Sequence, residues 1–456
     1  MSDFDLVIRG TLVTSDHIVA GGFIAVRDGV VAQVGAGAPP DARESLDFGE
    51  CYILPGVVDG QVHTGSQQDQ EGFGPASRAA AAGGVTTMVD MPYDEPVIVS
   101  TPAQLLRKAE AAAAASVVDF ALYATISPDD GVTEIPGLIA AGACAFKFST
   151  FESHPRRFPR IPPALMERAC SAIASSGLAV GVHNENQEYI ATRMAEIRAG
   201  GDTSPAAHGK SRPPLSELLA TSEIYEIGAY TGCRMHVVHC SLGRGIDICE
   251  TYRQQGYRVS TETCIHYLTL TEDDVRRFGG RAKVNPPIRP AEEREALWRH
   301  LAAGHIDFVS TDHVAWSADR KTNPDIFKNS SGMTGMETIL PLFFKECLER
   351  NLDLRLAPRL LSEGPARHFR LHPRKGHLGV GADADVAVLE PGDFRYDATK
   401  GQTIVDWTPF HNVRLPVRVA ATFRRGERIW DGAQVSGGAG GGQFITPMNA
   451  VAGATR

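Results

Sequence analysis

Basic residues are too few in this sequence to suit a protein that binds nucleic acid. Its 456 residues contain 45 Lys and Arg against 54 Asp and Glu, which gives a net charge of −9 at pH 7. A surface that neutralises phosphates needs an excess of positive charge. Long apolar runs are also missing: the longest, Ala111–Ile126, contains Asp119, whereas a membrane-spanning helix needs roughly 20 apolar residues. We therefore expect no nucleic-acid partner and no membrane.

Cysteines and targeting signals are scarce as well. The eight cysteines form no Cys-x-x-Cys pair, which favours reduced thiols over a disulfide framework. The first ten residues, MSDFDLVIRG, have neither the basic stretch nor the apolar stretch of a secretory signal. Hydrophobic residues at 43% and charged residues at 22% are typical of globular domains. We expect a folded, cytoplasmic protein.

Short apolar runs alternate with alanine-rich segments of helical period through the middle of the chain. This alternation predicts βα units and a parallel sheet. Eight such units close most naturally into a (β/α)₈ TIM-like barrel of the α/β class, although a doubly wound sheet gives a similar local pattern. The predicted strands are Val57–His63, Thr86–Pro92, Val118–Ile126, Cys144–Thr150, Ala179–Glu185, Arg234–Ser241, Tyr257–Cys264 and His305–His313.

The two ends of the chain have a different pattern, with short β segments separated by turns such as Arg27-Asp28-Gly29. Segments at opposite termini can pair into one small β-sandwich domain beside the barrel. We therefore predict one part of the sandwich in residues 1–54, the barrel in 55–370 and the other part in 371–435. The glycine-rich stretch 436–456 is predicted to be a flexible extension.

Groups that bind metals or transfer protons stand at the carboxyl ends of five predicted barrel strands. That end of a barrel is where active sites are built. A lone histidine on an apolar strand is usually structural, but several groups at several strand ends indicate a shared site. Histidines and carboxylates with one open position suit a hydrolytic Zn²⁺. The residues are Asp59, Gln61 and His63 on the first strand, Lys147 on the fourth, His183 on the fifth, His239 on the sixth and Asp312 on the eighth.

An ordered series of short segments resembles the cyclic amidohydrolases of the amidohydrolase superfamily. The segments are PGVVDGQVH, AAAAGGVTTMVDMP, AFKFST, VHNEN, VHCS, TETCIHYLTLT, KVNPPIRP and STDH. The resembling proteins include dihydropyrimidinase and hydantoinase, allantoinase and dihydroorotase, and the resemblance covers about residues 5–430. It implies a barrel with a binuclear metal centre and a flanking β-sandwich, in a dimer or tetramer. The implied reaction opens the C–N bond of a small cyclic amide, imide or ureide by metal-bound hydroxide.

The resemblance also implies a role for most of the strand-end residues. Lys147 matches a lysine that reacts with CO₂, and the resulting carbamate is an anionic ligand able to bridge two metals. His183 and His239 match the ligands of the second metal, and His63 matches a ligand of the first. Asp312 matches an aspartate that binds metal and carries a proton from the attacking water to the leaving nitrogen.

Three further matches concern the substrate. Asn285 lies in a segment that binds the cyclic amide in the resembling proteins, and Ser331 to Gly335 match the loop on the other side. The position of an oxyanion-stabilising tyrosine, five residues after the lysine, is Glu152 here, and a carboxylate would repel an oxyanion. Tyr93, after the second strand, is an uncertain substitute. The ring substrate therefore stays open at this point.

Gln61 departs from the pattern of the resembling proteins, which is Asp-x-His-x-His. An amide oxygen is a weaker metal donor than imidazole, so one of the two metals should bind less tightly. This leaves a one-metal hydrolase, a two-metal hydrolase with one weak site, or a non-catalytic paralogue that serves as an assembly or binding scaffold. Retention of Lys147, His183, His239 and Asp312 favours the enzyme, with one tight Zn²⁺ more expected than two.

Overall fold

A computed structural model of the chain describes residues 3–66, 71–129, 131–436 and 438–448. The strands of this part form one sheet of eight strands and one of seven. In chain order they are β1 (Phe4–Val13), β2 (Ile18–Arg27), β3 (Val30–Ala36), β4 (Ala42–Pro55), β5 (Val57–Val62), β6 (Val85–Asp90), β7 (Asp119–Ala124), β8 (Ala145–Ser149), β9 (Ala179–His183), β10 (Arg234–Val237), β11 (Val259–Cys264), β12 (Phe308–Ser310), β13 (Val386–Arg395), β14 (Arg414–Arg424) and β15 (Glu427–Trp430).

Helices separate the strands of the eight-stranded sheet. They are α1 (Phe73–Ala82), α2 (Pro102–Ala115), α3 (Ile135–Ala140), α4 (Pro163–Ala174), α5 (Gln187–Ala199), α6 (Pro205–Ser211), α7 (Pro214–Thr231), α8 (Gly243–Gln254), α9 (Ile265–Thr269), α10 (Glu272–Phe278), α11 (Ala291–Ala303), α12 (Ile339–Glu349), α13 (Leu356–Pro358) and α14 (Gly364–His368). Short 3₁₀ turns span Gly131–Glu134, Gly279–Ala282, Ala318–Arg320, Ile326–Lys328 and Ala398–Lys400, and a π-helical turn spans Arg359–Glu363. None of the helices in the described ranges is long and apolar enough to cross a membrane.

Strands β5 to β12 form the predicted barrel. Each strand pairs in parallel with the next one along the chain. The first and last strands meet through a parallel bridge between Val62 and His313, and the N–H of His63 donates to the carbonyl of His313 at 2.9 Å. This closure distinguishes a barrel from a doubly wound sheet. The carboxyl ends of all eight strands consequently open onto the same face of the molecule.

The barrel strands are buried on both of their faces, which explains their near-continuous apolar sequences. Every residue of β5, β6 and β7 is buried. Gly232 after α7 and Gly304 after α11 have φ of 72° and 81°. Only glycine adopts this left-handed conformation at little cost, so these residues end the helices and turn the chain back toward the next strand.

The seven-stranded sheet is built from both ends of the chain. Its order is β15-β14-β13-β4-β1-β2-β3, so β4 lies between β1 from the N-terminal part and β13 from the C-terminal part. It pairs in parallel with β1 and antiparallel with β13. A separate apolar core, which includes Ile8, Ile24 and Val388, packs within this sheet. The terminal segments therefore form one unit beside the barrel.

A buried ion cluster joins this sheet to the barrel. The Nζ of Lys375 lies 2.5 Å from Asp119, 2.8 Å from Asp383 and 2.7 Å from Asp385. Asp119 is the first residue of β7, and Asp385 directly precedes β13. These three carboxylates lie close enough together to hold a metal ion. Because an ammonium group already lies among them, they form an ion-pair network.

Residues 438–448 differ from the flexible extension that the sequence predicts. The backbone N–H of Ile445 donates to the carbonyl of Phe120 at 2.7 Å, and the Ile445 side chain is only 2% exposed. The segment therefore packs beside β7, and the prediction of flexibility is corrected for this stretch. Apolar side chains after the glycines supply the packing that composition alone does not indicate. Residues 437 and 449–456 lie outside the described residues.

Candidate active site

A cavity of about 390 Å³ opens at the carboxyl ends of the barrel strands. Most of the site residues predicted from the sequence line it. They are Gln61, His63, Lys147, His183, His239, Asn285, Asp312 and Ser331. The barrel explains this convergence, because parallel strands in a closed sheet end at one rim.

Lys147, His183 and His239 form one side of the cavity, here named the lysine side. They come from adjacent strands: Lys147 is in β8, His183 ends β9, and His239 follows β10. The Nδ1 of His183 faces the Nε2 of His239 at 3.0 Å. The other ring nitrogen of His239 is buried without a hydrogen-bond partner among the described residues. Buried polar atoms are normally paired, so these nitrogens fit a site for a cation bound by imidazole.

The amine of Lys147 is unusual in its surroundings. The residue is 1% exposed, and its Nζ has no hydrogen-bond partner in the part of the chain that the structure describes. Burial lowers the pKa of Lys147 to about 8, although the negative charges of Asp312 and Glu262 oppose this shift. A neutral amine is the nucleophilic form of lysine. The environment therefore favours chemical modification of Lys147 over a permanent ammonium group.

Glu185 and Arg212 fix the orientation of the His183 ring. The Nε2 of His183 lies 2.8 Å from Glu185 Oε2, and Arg212 donates to the same oxygen. Burial alone would raise the pKa of Glu185, but Arg212 and His183 lower it to about 2. Glu185 is thus anionic and holds the His183 ring so that Nδ1 faces the cavity. The sequence analysis missed this pair, although Glu185 stands two residues after His183, on the same side of an extended chain.

Gln61, His63 and Asp312 form the opposite side, here named the glutamine side. The Nε2 of Gln61 donates to Asp312 Oδ1 at 2.7 Å, and His63 Nε2 lies 3.2 Å from the same oxygen. His63 Nδ1 contacts the hydroxyl of Ser66 at 2.8 Å, whereas Gln61 Oε1 is buried and unpaired. Burial tends to raise the pKa of Asp312, but the hydrogen bond and charge of His63 hold it below its usual value. Asp312 is therefore an anionic acceptor between two side chains.

Asp59 supports this side without lining the cavity. It accepts hydrogen bonds from the backbone N–H and the hydroxyl of Thr311 and from the N–H of Gln61. Burial raises the pKa of Asp59 to about 7, even though these hydrogen bonds oppose the shift. The contacts link β5 to the segment after β12. Gln61 and Asp312 are consequently held next to each other.

Two backbone positions at the strand ends have positive φ values. His239 has φ of 43°, and Asp312 has φ of 51°. Residues other than glycine rarely adopt this left-handed region, and such strain concentrates at functional sites. Both residues line the cavity. No pattern in the sequence could reveal this conformation, because neither residue is a glycine or an asparagine.

Two predicted substrate contacts lie elsewhere. The N–H of Gly335 donates to the Nδ1 of His313 at 3.1 Å, and Gly335 does not line the cavity. The hydroxyl of Tyr93 donates to the backbone carbonyl of Lys147 at 3.2 Å, so it supports β8 from outside the cavity. Neither group faces the cavity in this arrangement, and the substrate contact predicted for Gly335 and the uncertain one of Tyr93 stay predictions. Asn285 and Ser331 remain as the lining residues of those two loops.

The rim of the cavity carries positive charge that the sequence analysis did not anticipate. Arg157, Arg198, Lys283 and Arg320 line it together with Glu152. They come from loops and from the end of a helix, where neither spacing nor periodicity predicts which side chains converge. Burial lowers the pKa of Lys283 to about 7, and the nearby positive charges add to the shift. The rim therefore attracts electron-rich groups of a substrate.

Comparisons with known proteins agree with this geometry. The sequence profile of the amidohydrolase family matches residues 52–429. An allantoinase from Rubrobacter xylanophilus is 33% identical over 98% of this chain and 99% of its own. An L-hydantoinase from Paenarthrobacter aurescens is 31% identical over 98% and 99%, and a dihydroorotase from Halobacterium salinarum is 33% identical over 88% and 92%. The solved L-hydantoinase (dihydropyrimidinase) from Arthrobacter aurescens superposes with a TM-score of 0.94 at 32% identity, covering 97% of this chain and 100% of that chain.

Proposed function

The chain belongs to the amidohydrolase family, and on this premise we propose that it opens a small ring by hydrolysing a C–N bond of a cyclic amide, imide or ureide. Relatives that match nearly the whole chain are named allantoinase and L-hydantoinase. They are hydrolases of cyclic amides, and this chain is a cyclic amide hydrolase of the same kind. The observation that carries the proposal is the convergence of His63, Lys147, His183, His239 and Asp312 on one cavity. Neither the family nor the relatives support a non-catalytic scaffold.

Members of this family are metal-dependent. We propose that the metal is Zn²⁺, held by His63, Lys147, His183, His239 and Asp312, with a CO₂-derived carbamate on Lys147. The carbamate would replace a cation by an anion with two oxygen donors, which suits a divalent metal. Zinc, when bound, would polarise the scissile carbonyl and lower the pKa of the attacking water. The buried, unpaired atoms of Lys147 and His239 support this donor set.

Proton transfer, orientation of the metal ligands and substrate binding are carried out by side chains of the protein. Asp312 accepts a proton from the attacking water and delivers it to the ring nitrogen as the C–N bond breaks, which is general acid–base catalysis. Gln61 and His63 hold its Oδ1 in position. Glu185 keeps His183 oriented toward the metal, and Asn285 and Ser331 hold the ring.

Gln61 bears on how many metals bind. An amide oxygen is a weak donor, so we propose one tight Zn²⁺ at the lysine side and a weak or empty site at the glutamine side. We also propose that the chain forms a homodimer or homotetramer, which light scattering would determine.

A substrate screen tests the proposed function. Protein expressed with added Zn²⁺ and bicarbonate is assayed with hydantoin, dihydrouracil, allantoin and succinimide, and ring opening is followed chromatographically. We expect at least one ring to open, and metal removal by a chelator to abolish the activity. If the metal-loaded protein opens none of these rings while holding stoichiometric metal, the proposed function is wrong.

A further inference from the structure

A second cavity, of about 860 Å³, lies at the opposite end of the barrel. Its wall is formed where four barrel strands begin. Gly177 precedes β9, Arg234 starts β10, Val259 starts β11 and Asp307 precedes β12. An apolar layer that includes Phe308 closes this end of the barrel interior. The cavity is thus separate from the candidate active site.

Three arginines of this cavity have no acidic partner among the described residues: Arg234, Arg258 and Arg370. Arg234 donates only to the carbonyls of Gly177 and His368, at 3.1 and 3.4 Å. Arg370 donates to the carbonyl of Ser176 at 2.8 Å, and the Arg258 guanidinium has no hydrogen-bond acceptor in that part of the chain. A guanidinium carries five N–H donors, so most of the donors in this cluster are free to bond water or a ligand.

The three guanidinium groups gather around Gly177. A Cβ placed on this glycine would lie 3.5 Å from Arg370 Nη1 and 3.7 Å from Arg258 Nη2, and Arg234 already contacts the Gly177 carbonyl. These contacts bring three positive charges close to one residue, and like charges repel one another unless solvent or an anion screens them. Burial together with the charges of Arg258 and Arg370 holds the pKa of Arg234 below its usual value.

The cavity offers one acid against these three charges, and its charge opposes the lowering of the Arg234 pKa. Asp307 is its sole acidic lining residue in the described ranges, and that carboxylate is paired with Arg253 at 2.8 Å. Asp307 also accepts a hydrogen bond from the N–H of Thr261 at 2.8 Å. The arginine cluster therefore keeps its net positive charge.

His368 is the histidine of this cavity among the described residues. The residue lines the cavity, is 6% exposed, and its Nε2 is buried without a hydrogen-bond partner in the described part of the chain. Buried polar atoms in native proteins are normally satisfied by protein, water or ligand. The Nε2 of His368 is inaccessible from the cavity, so the arginines alone define the binding site.

We propose that this cavity is a second binding site, which takes a small anion with at least two negative charges on phosphate or carboxylate oxygens. The planar donors of Arg234, Arg258 and Arg370 match such oxygens bidentately. The site is independent of the ring-opening reaction. A bound anion cross-links the starts of β10 and β11 and the segment after α14, so it should stabilise the fold.

Calorimetry and thermal unfolding of the metal-loaded protein test the proposal, with inorganic phosphate and citrate as separate ligands and chloride as the ionic-strength control. We expect one or both oxyanions to bind and to raise the melting temperature by about 2 °C or more. Binding of phosphate alone identifies a phosphate ligand, and binding of citrate alone identifies a polycarboxylate. Absence of binding by both overturns the proposal.

Arg258→Met locates the site, because that side chain is exposed and makes no hydrogen bond that folding would lose. We expect the variant to bind the anion at least about tenfold more weakly, since a charged hydrogen bond contributes roughly that much. Arg414→Met removes the same charge from an exposed ion pair with Asp393 on β14 and should bind as the wild type does. Wild-type affinity in Arg258→Met would place the anion elsewhere, for example at the metal centre, and would overturn the proposal.

Discussion

The lysine side and the glutamine side of the cavity differ in how far the protein itself satisfies their polar atoms. On the lysine side, Lys147 Nζ and His239 Nδ1 are buried without partners among the described residues. On the glutamine side, Gln61 and His63 both contact the same oxygen of Asp312, and the unpaired atom there, Gln61 Oε1, is a weak amide donor. A ligand atom that is already hydrogen-bonded must give up that bond to bind a metal. The lysine side should therefore gain more from a metal than the glutamine side does.

Removing the lysine should have the largest effect on this difference. Lys147→Ala deletes the proposed carbamate, so the protein should lose its metal and hydrolysis should fall by at least about 10³-fold, in line with the several kcal/mol that metal activation supplies. Metal analysis and turnover on the best ring substrate measure both effects. Lys283→Ala, in the same cavity, is the matched control and should keep its metal. An alanine variant at position 147 that holds wild-type metal would exclude the bridging role.

Asp312→Asn tests the glutamine side. The amide preserves the shape of the side chain but cannot accept the proton, so kcat should fall by at least about 10²-fold. The lysine side should retain its metal, and metal analysis of the same sample separates loss of proton transfer from loss of metal. Unchanged turnover would assign the proton transfer to another group.

Glu185→Gln tests the support behind the lysine side. The neutral amide would lack the negative charge with which the Glu185 carboxylate holds the His183 ring. Metal affinity should therefore fall by about 10- to 100-fold. Competition with a chelator measures the change. Glu152→Gln removes a carboxylate that lines the same cavity and should leave the affinity unchanged. Equal affinities in both variants would show that Glu185 does not orient the metal ligand.

Gln61→His is expected to have the smallest effect and would remove the difference between the two sides. An imidazole in place of the amide should raise the metal content from about one toward two per chain. Gln61→Ala supplies no new donor and should stay near the wild-type value. A wild-type protein that already holds two metals after chelation would show that the glutamine side binds metal adequately.

The sequence predicts the barrel and most of the lining residues because both follow from simple periodicity. Lys147, His183 and Asp312 each stand at the end of an apolar run, and a closed parallel sheet brings such ends together. The apolar periodicity does not predict the course of the loops that follow the strands. The N–H of Gly335 binds His313 and the hydroxyl of Tyr93 binds the Lys147 backbone, and neither contact follows from the sequence pattern.

Ion pairs between residues that are far apart in the chain also cannot be predicted from the local sequence. Asp119 and Lys375 are 256 residues apart, and nothing near either residue predicts that they meet. The same holds for the cluster of Arg234, Arg258 and Arg370, which depends on how three loops close the other end of the barrel. Such contacts are consequences of the fold, so they become visible only after the fold is known.

The position of β4 between β1 and β13 has a consequence for synthesis on the ribosome. β1 to β4 emerge first, but the edge of β4 that pairs with β13 stays unpaired until more than 300 further residues have been made. An unpaired edge is a template for pairing with other chains. Contacts this distant in sequence form slowly. The edge of β4 is therefore exposed to pairing with other chains for a long part of synthesis and folding. Chaperone demand should therefore depend on how quickly the last eighty residues follow the barrel.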